Sequence, residues 1–153
     1  MAPHTRYIRW VPAPQNIKRI GKIHERLYRW TFGLVGGRVD GLDILLLTTT
    51  GKRSGRPRCV PLPYFRDGSR YLLVASFGGN ANNPHWYANL LTNPSVELQR
   101  GGTRWNTQAR VAQGAERERL WGHITYEHPR YLRYQARTTR EIPVIVLDGP
   151  ESG

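Results

Sequence analysis

The chain has 153 residues, of which 39% are hydrophobic, and a formal net charge of +12. This length suits one domain with a continuous core and excludes separate nucleotide and substrate domains, while the hydrophobic fraction excludes wholesale disorder. Residues 1–58 hold twelve Lys or Arg against three Asp or Glu, and residues 59–153 hold eleven against eight. Charge concentrated at one end attracts an anionic partner, which on this ground alone is a nucleic acid, an acidic membrane surface or a polyanionic ligand.

Neither secretion nor membrane insertion is indicated. Cys59 is the single cysteine, so an intramolecular disulfide is excluded. No apolar run approaches the length of a membrane span, and no apolar segment typical of a signal peptide follows the N-terminal arginines. We therefore predict a soluble, cytoplasmic protein.

The predicted elements begin with an irregular, proline-containing arm over residues 1–15. Residues 16–32 have the pattern of a basic amphipathic helix. Short strands and turns follow, with predicted strands at residues 42–50, 58–66, 70–77, 95–100, 103–112 and 142–147. Pro61 and Pro63 place the second of these strands at an edge or a bulge. Helices are predicted at residues 84–93 and, interrupted near Pro129, at residues 115–134.

Tight turns join most of the predicted strands. Asp67-Gly68 and Gly101-Gly102 are hairpin signals, whereas helical crossovers are few. This order predicts a mainly β domain, in which about six antiparallel strands close into a small barrel with flanking helices. We place this domain at residues 16–147, between the arm at 1–15 and a tail at 148–153.

The strongest local signal for chemistry is a basic turn after the first long strand. Residues 48–58 read TTTGKRSGRPR, so two glycines bracket a turn that carries four cations. Backbone amides and arginines in such a turn bind phosphate or carboxylate oxygens. The spacing of a P-loop is absent, and a solvated basic hairpin is the competing interpretation.

A second signal lies where the strand at residues 70–77 ends. Residues 75–87 read ASFGGNANNPHWY, a Gly-Gly turn followed by the start of a helix. Free amides at a helix start bind anions or carbonyl groups, and the aromatic rings beside them could stack on a flat heterocycle. The competing interpretation is that Trp86 and Leu90 pin the helix to the barrel.

The chain resembles the deazaflavin-dependent nitroreductase family of actinobacteria in LLLTTTGKRSGRPRCVPL, RDGSRYLLVASFGGNANNPHWYANLLTNPSVELQ and IPVIVL, in this order. The resemblance runs from about Asn16 to Leu147. It implies the split β-barrel of the flavin-binding pyridoxamine-phosphate oxidases. It also implies an oxidoreductase that passes a hydride from reduced coenzyme F-420 to a hydrophobic acceptor, such as a quinone, a nitroaromatic or a similar activated double bond.

The resemblance also implies roles for the two segments. The basic turn would bind the coenzyme's phosphate and oligoglutamate tail, and the Gly-Gly segment would flank the deazaflavin ring. The coenzyme-binding residues predicted in this way are Lys52, Arg53, Ser54, Arg58, Pro61, Ser76, Phe77, Gly78, Gly79, Pro84, His85 and Trp86. Phe77 departs from the family because relatives often carry Lys there, so one ionic contact with the coenzyme would be lost.

Three tyrosines near the C-terminus are the predicted catalytic residues. Tyr131 and Tyr134 are three residues apart on a predicted helix and share one face. The resemblance implies that they and Tyr126 line an acceptor pocket over the deazaflavin, where a phenol can protonate an acceptor oxygen. Aromatic residues at this spacing also commonly form core.

Other functions have less support in the sequence. The five histidines show no metal-ligand spacing, so no metal is expected, and no nucleic-acid-binding motif is present. An FMN- or haem-binding protein on the same barrel is one alternative. A basic module without catalysis is another, because the helix at 16–32 leaves open a peripheral contact with the inner membrane surface. The sequence leaves the physiological acceptor and the oligomeric state undetermined.

Overall fold

The structure is a computed structural model that describes residues 37–152 and the helical positions 22, 25 and 26. The predicted arm at 1–15 and most of the predicted helix at 16–32 lie outside the described residues. The division into arm, domain and tail therefore stays a prediction. None of the described helices is both long enough and apolar enough to span a membrane.

The described part of the chain contains nine strands where the sequence predicted about six. They are β1 (Arg38–Val39), β2 (Leu42–Thr50), β3 (Pro57–Pro63), β4 (Phe65–Asp67), β5 (Arg70–Val74), β6 (Ser95–Arg100), β7 (Thr103–Gln108), β8 (Arg110–Val111) and β9 (Val144–Leu147). The helices are α1 (His85–Thr92), α2 (Gly114–Glu127) and α3 (Arg130–Gln135), and a 3-10 turn covers Phe77–Gly79. There are more strands than predicted because β1 was not predicted, and because the predicted strands at 58–66 and 103–112 are each divided in two.

The strands form two antiparallel sheets. One contains β1, β2, β3, β6 and β7, and the other contains β4, β5, β8 and β9. The chain passes from one sheet to the other at Tyr64 and at Ala109, which is where the two predicted strands divide. At these corners the Tyr64 amide donates to the Asp43 carbonyl (3.1 Å) and the Ala109 amide to the Pro94 carbonyl (2.8 Å). The predicted split β-barrel is confirmed.

Successive side chains of a strand point to opposite faces of its sheet, and the four-stranded sheet packs against a hydrophobic core on each face. Tyr71 and Leu73 of β5 point into the barrel, where they pack with residues of the five-stranded sheet such as Leu47 and Leu98. Leu72 of the same strand points outward and packs in a second core. That second core is completed from α2 and α3 by Leu120, Ile124 and Tyr131. The second core thus fixes α3, which carries two of the predicted catalytic tyrosines, against the barrel.

β3 is an edge strand within the described sheet, because its only described partner is β2. An edge position tolerates the missing amide hydrogens of Pro61 and Pro63, so this prediction is confirmed. Alternation along β3 directs Val60 and Leu62 to the barrel core. Pro61 therefore lies on the opposite face of the strand.

Candidate functional site

The basic turn, residues 51–56, is a compact loop that follows β2. The Gly51 amide donates to the Arg56 carbonyl at 2.8 Å, and the Gly55 amide donates to the Gly51 carbonyl at 2.9 Å. A Cβ at Gly51 would lie 2.5 Å from Ser54 Oγ and 3.1 Å from the Arg56 carbonyl oxygen, so only glycine fits there without a shift. The glycine spacing in the sequence therefore reflects a real steric requirement of the turn.

The four cations of residues 52–58, three on the basic turn and one at the start of β3, are exposed and have no acidic partner among the described residues. Lys52, Arg53, Arg56 and Arg58 are all exposed, and none joins an ion pair within the described chain. Other arginines are neutralised locally; Arg119, for example, lies 3.0 Å from an Asp67 carboxylate oxygen. Unpaired cations concentrated beside backbone amides form a surface that suits an anion.

Asn89 of α1 ties the basic turn to the rest of the site. Its Oδ1 accepts a hydrogen bond from the Lys52 amide at 2.9 Å, and its Nδ2 donates to Thr49 Oγ1 at 3.1 Å. Thr49 is almost fully buried, so the anchor is firm. Asn89 was not among the residues predicted from the sequence. The one signal for it is an asparagine inside a helix, a position that this residue does not favour.

Arg140 organises the second predicted segment, residues 75–83, which we call the glycine loop. Its Nη2 donates to the carbonyls of Ser76 (2.8 Å) and Ala75 (3.2 Å), and its Nε donates to that of Asn80 (2.9 Å). Its Nη1 donates to Asn83 Oδ1 at 2.8 Å. Burial lowers the pKa of Arg140 from its ordinary value. This side chain, also missed from the sequence, fixes the loop from its first residue to the start of α1.

The glycine loop also touches α3. Arg137 Nη1 donates to the Gly78 carbonyl at 3.1 Å, and the Arg137 guanidinium lies 5.6 Å from the centroid of the Tyr134 ring. Gly79 approaches so closely that a Cβ there would lie 2.5 Å from the Tyr134 carbonyl oxygen. The structure therefore brings Gly79 against the backbone of Tyr134 and Gly78 to Arg137, while Ser76 and Phe77 precede them in the same loop.

The three predicted catalytic tyrosines have different surroundings. Tyr131 is 4% exposed and packs edge-on against both Phe65 and Tyr134, with ring centroids 5.4 Å apart in each pair. Burial raises the pKa of the Tyr131 phenol far above its ordinary value. Tyr134 is half-buried, and within the described chain its hydroxyl has no hydrogen-bond partner. Tyr126 is 88% exposed on α2, so the described fold does not enclose it with the other two.

The remaining predicted residues divide between site and scaffold. Pro84 is buried at the start of α1, and His85 is exposed beside it. Trp86 is 8% exposed and packs in the barrel core, so the structure supports the interpretation in which it pins α1. Pro61 lies on the face of β3 away from Arg58, because Arg58 pairs with Thr49 and Pro61 with Leu46. Pro61 and Arg58 therefore lie on opposite faces of β3, and the Trp86 ring belongs to the core.

A groove of about 590 Å³ opens beside the basic turn, across adjacent ends of β2, β3, β6 and β7. Thr50 and Pro57, which flank the turn, line it together with polar side chains such as Ser95, Asn106 and Gln108. Its volume falls in the range of small-molecule sites. The described residues contain no group of three or more side chains suited to hold a metal ion.

Known proteins resemble this chain over most of its length. The family model described as F420H(2)-dependent quinone reductase matches residues 20–149. An F420H(2)-dependent quinone reductase of Mycobacterium tuberculosis is 41% identical over 143 residues, which are 91% of this chain and 95% of the relative.

Two solved structures extend the similarity to the fold. An F420-H2 dependent reductase, FDR-A, superposes with a TM-score of 0.63 at 40% identity, over 69% of this chain and 93% of that one. A structure described as a domain-swapped dimer superposes with a TM-score of 0.65 at 37% identity, over 89% of this chain and 100% of that one. The chain thus belongs to the F420H(2)-dependent quinone reductase family.

Proposed function

We propose that the chain is an F420-dependent oxidoreductase that transfers a hydride from reduced coenzyme F420 to a quinone or another hydrophobic acceptor, such as a nitroaromatic. Apart from family membership, the observation that carries the proposal is the group of exposed cations on the basic turn and at Arg58, which have no acidic partner among the described residues. Their charge complements the polyanionic tail of the coenzyme. No specific observation favours FMN or haem over F420.

The spacing of the two segments suits an elongated coenzyme with an anionic tail and a flat ring. The glycine loop ends at Asn83, just before α1, whereas the basic turn is bonded to Asn89 within α1. Four helical steps from His85 to Asn89 rise by about 6 Å, and the non-helical residues Asn83 and Pro84 add to this separation. We therefore assign the tail to Lys52, Arg53 and Arg58, and the ring to the glycine loop.

The bound coenzyme itself supplies the hydride. The residues of the chain therefore bind the coenzyme, orient the acceptor and protonate the acceptor oxygen. Reduction of a quinone or a nitro group leaves negative charge on oxygen, which a nearby donor must stabilise. Tyr134 is the candidate donor, because its hydroxyl has no hydrogen-bond partner within the described chain and its backbone carbonyl lies against Gly79 of the glycine loop. Tyr131 supports the Tyr134 ring through its edge-on contact.

Fluorescence titration with F420, FMN and FAD in parallel tests the proposal, followed by turnover of reduced F420 with menadione. We expect binding of F420 in preference to both flavins, and oxidation of the reduced coenzyme that depends on menadione. Preferential binding of FMN, or no menadione-dependent oxidation, would contradict the proposed function.

Replacing Arg53 with Ala is expected to weaken F420 binding by about 1.5–3 kcal/mol, the range for a hydrogen bond to a charged group. The effect should shrink with added salt insofar as it comes from long-range attraction. Arg38→Ala is the matched control, because Arg38 is also exposed but lies 3.6 Å from the Asp43 carboxylate on another part of the barrel. Equal F420 affinity in the parent and Arg53→Ala proteins at low salt would remove Arg53 from the site.

We also propose a peripheral contact with an anionic membrane surface, where hydrophobic quinones partition. The net charge of +12 supports it, as do the exposed apolar side chains Leu132 (52%) and Tyr126 (88%) on α3 and α2. Such a contact combines apolar burial with electrostatic attraction. Co-sedimentation should then be stronger with vesicles of phosphatidylglycerol than of phosphatidylcholine, and equal or absent binding to both contradicts the contact.

A further inference from the structure

Phe77 has a backbone conformation that bulky side chains rarely adopt. Its φ is +46°, and the only other described non-glycine residue with a positive φ is Asp40. Aspartate tolerates this region in tight turns, whereas for an aromatic residue it is a genuine outlier. Such strain persists only where the surrounding fold imposes it, and it concentrates at functional sites.

The fold imposes this conformation from both sides of Phe77. Arg140 binds the carbonyl of the preceding Ser76 at 2.8 Å, and Arg137 binds that of the following Gly78 at 3.1 Å. One residue further on, Gly79 lies against the Tyr134 carbonyl with no room for a Cβ. The loop therefore holds residue 77 in place whatever its side chain.

The ring of Phe77 makes few packing contacts that could offset this backbone strain. Phe77 is 37% exposed and belongs to neither core cluster, and no described aromatic ring pairs with it. A glycine at this position would adopt the same backbone without strain. The ring is thus partly exposed on the glycine loop, and a neutral aromatic surface suits a flat apolar ring better than an anion.

We propose that the ring of Phe77 is a contact surface for the ring of the hydrophobic acceptor and sets the enzyme's preference among acceptors. This inference rests on the proposed function, because it needs an acceptor that binds beside the coenzyme. Phe77 is thereby a specificity-determining residue, distinct from the cations that bind the tail.

Steady-state kinetics of Phe77→Gly with reduced F420 test this, using menadione, a bicyclic acceptor, and 1,4-benzoquinone, a smaller one. We expect kcat/KM for menadione to fall by about tenfold, the low end of discrimination by an apolar contact. The value for benzoquinone should change less, so that the ratio between the two acceptors shifts. F420 affinity should be kept, because Arg137 and Arg140 still hold the backbone of the glycine loop and the cations that bind the tail are unchanged. The midpoint of thermal unfolding should rise because strain is relieved.

Three further variants make the result specific. Phe77→Asn also removes the ring and tolerates a positive φ, so it should reproduce the shift in acceptor ratio, whereas Phe77→Tyr keeps the ring and should keep the ratio. Leu91→Ala, which trims an apolar side chain 57% exposed at the end of α1, should also keep it.

Each contrary outcome has its own meaning. An unchanged acceptor ratio in both ring-free variants overturns the assignment. A kept ratio with weakened F420 binding places the ring on the coenzyme and overturns it as well. A parent protein that fails to oxidise reduced F420 with either quinone overturns the proposed function instead.

Discussion

Replacing Gly79 with Ala is expected to lower the free energy of unfolding by about 2–4 kcal/mol, the sum of backbone strain and overpacking. Gly79 has a φ of +83°, and an added Cβ would lie 2.5 Å from the Tyr134 carbonyl oxygen and 2.9 Å from Arg137 Cβ. The oxygen belongs to the backbone of α3, so it cannot move aside cheaply. Since this contact joins the glycine loop to α3, F420 affinity and turnover should fall with stability.

Gly78→Ala is the matched control for this variant. Gly78 has a φ of +64°, but nothing lies within 4 Å of its ideal Cβ. The free energy of unfolding of Gly78→Ala should therefore fall only by the cost of backbone strain, about 1–2 kcal/mol. Urea denaturation of both variants separates the two contributions, and equal losses would mean that the loop's close approach to α3 is unimportant.

The fold was predictable wherever a local pattern determined it. The apolar run of β2, the Asp67-Gly68 turn and the Asn-Pro end of α1 each specify their element through nearby residues alone. The corners at Tyr64 and Ala109 were not predictable, because the change of sheet depends on hydrogen bonds to Asp43 and Pro94, which are distant in sequence. Two runs that read as single strands are therefore divided.

The candidate site shows the same limit. The glycines and exposed cations of the site could be predicted, because the turn that contains each of them requires that residue type at that position. Arg140 did not stand out, since the loop that it holds lies 57 to 65 residues earlier in the chain. Spacing alone also could not show that Trp86 is taken up by the core or that Pro61 lies on the far face of β3.

Removal of the Tyr134 hydroxyl is expected to have the largest effect on the rate of turnover. Tyr134→Phe should slow turnover with menadione by about 10²-fold, the low end for general-acid help. F420 affinity and stability should stay close to those of the parent, because the hydroxyl has no hydrogen-bond partner within the described chain and its loss leaves no buried group unpaired. Steady-state rates, with coenzyme binding and urea denaturation measured alongside, separate the chemical effect from a structural one.

Tyr131→Phe is the companion variant, because Tyr131 shares the helix face and the edge-on ring contact. Burial raises the pKa of the Tyr131 phenol, which makes it a poor proton donor, and a side chain that is 4% exposed offers an acceptor little access. We therefore expect the smaller loss of rate from Tyr131→Phe. If Tyr134→Phe instead turns over at the parent rate, the acceptor oxygen takes its proton from water, and the Tyr134 ring serves to pack Tyr131 against the barrel.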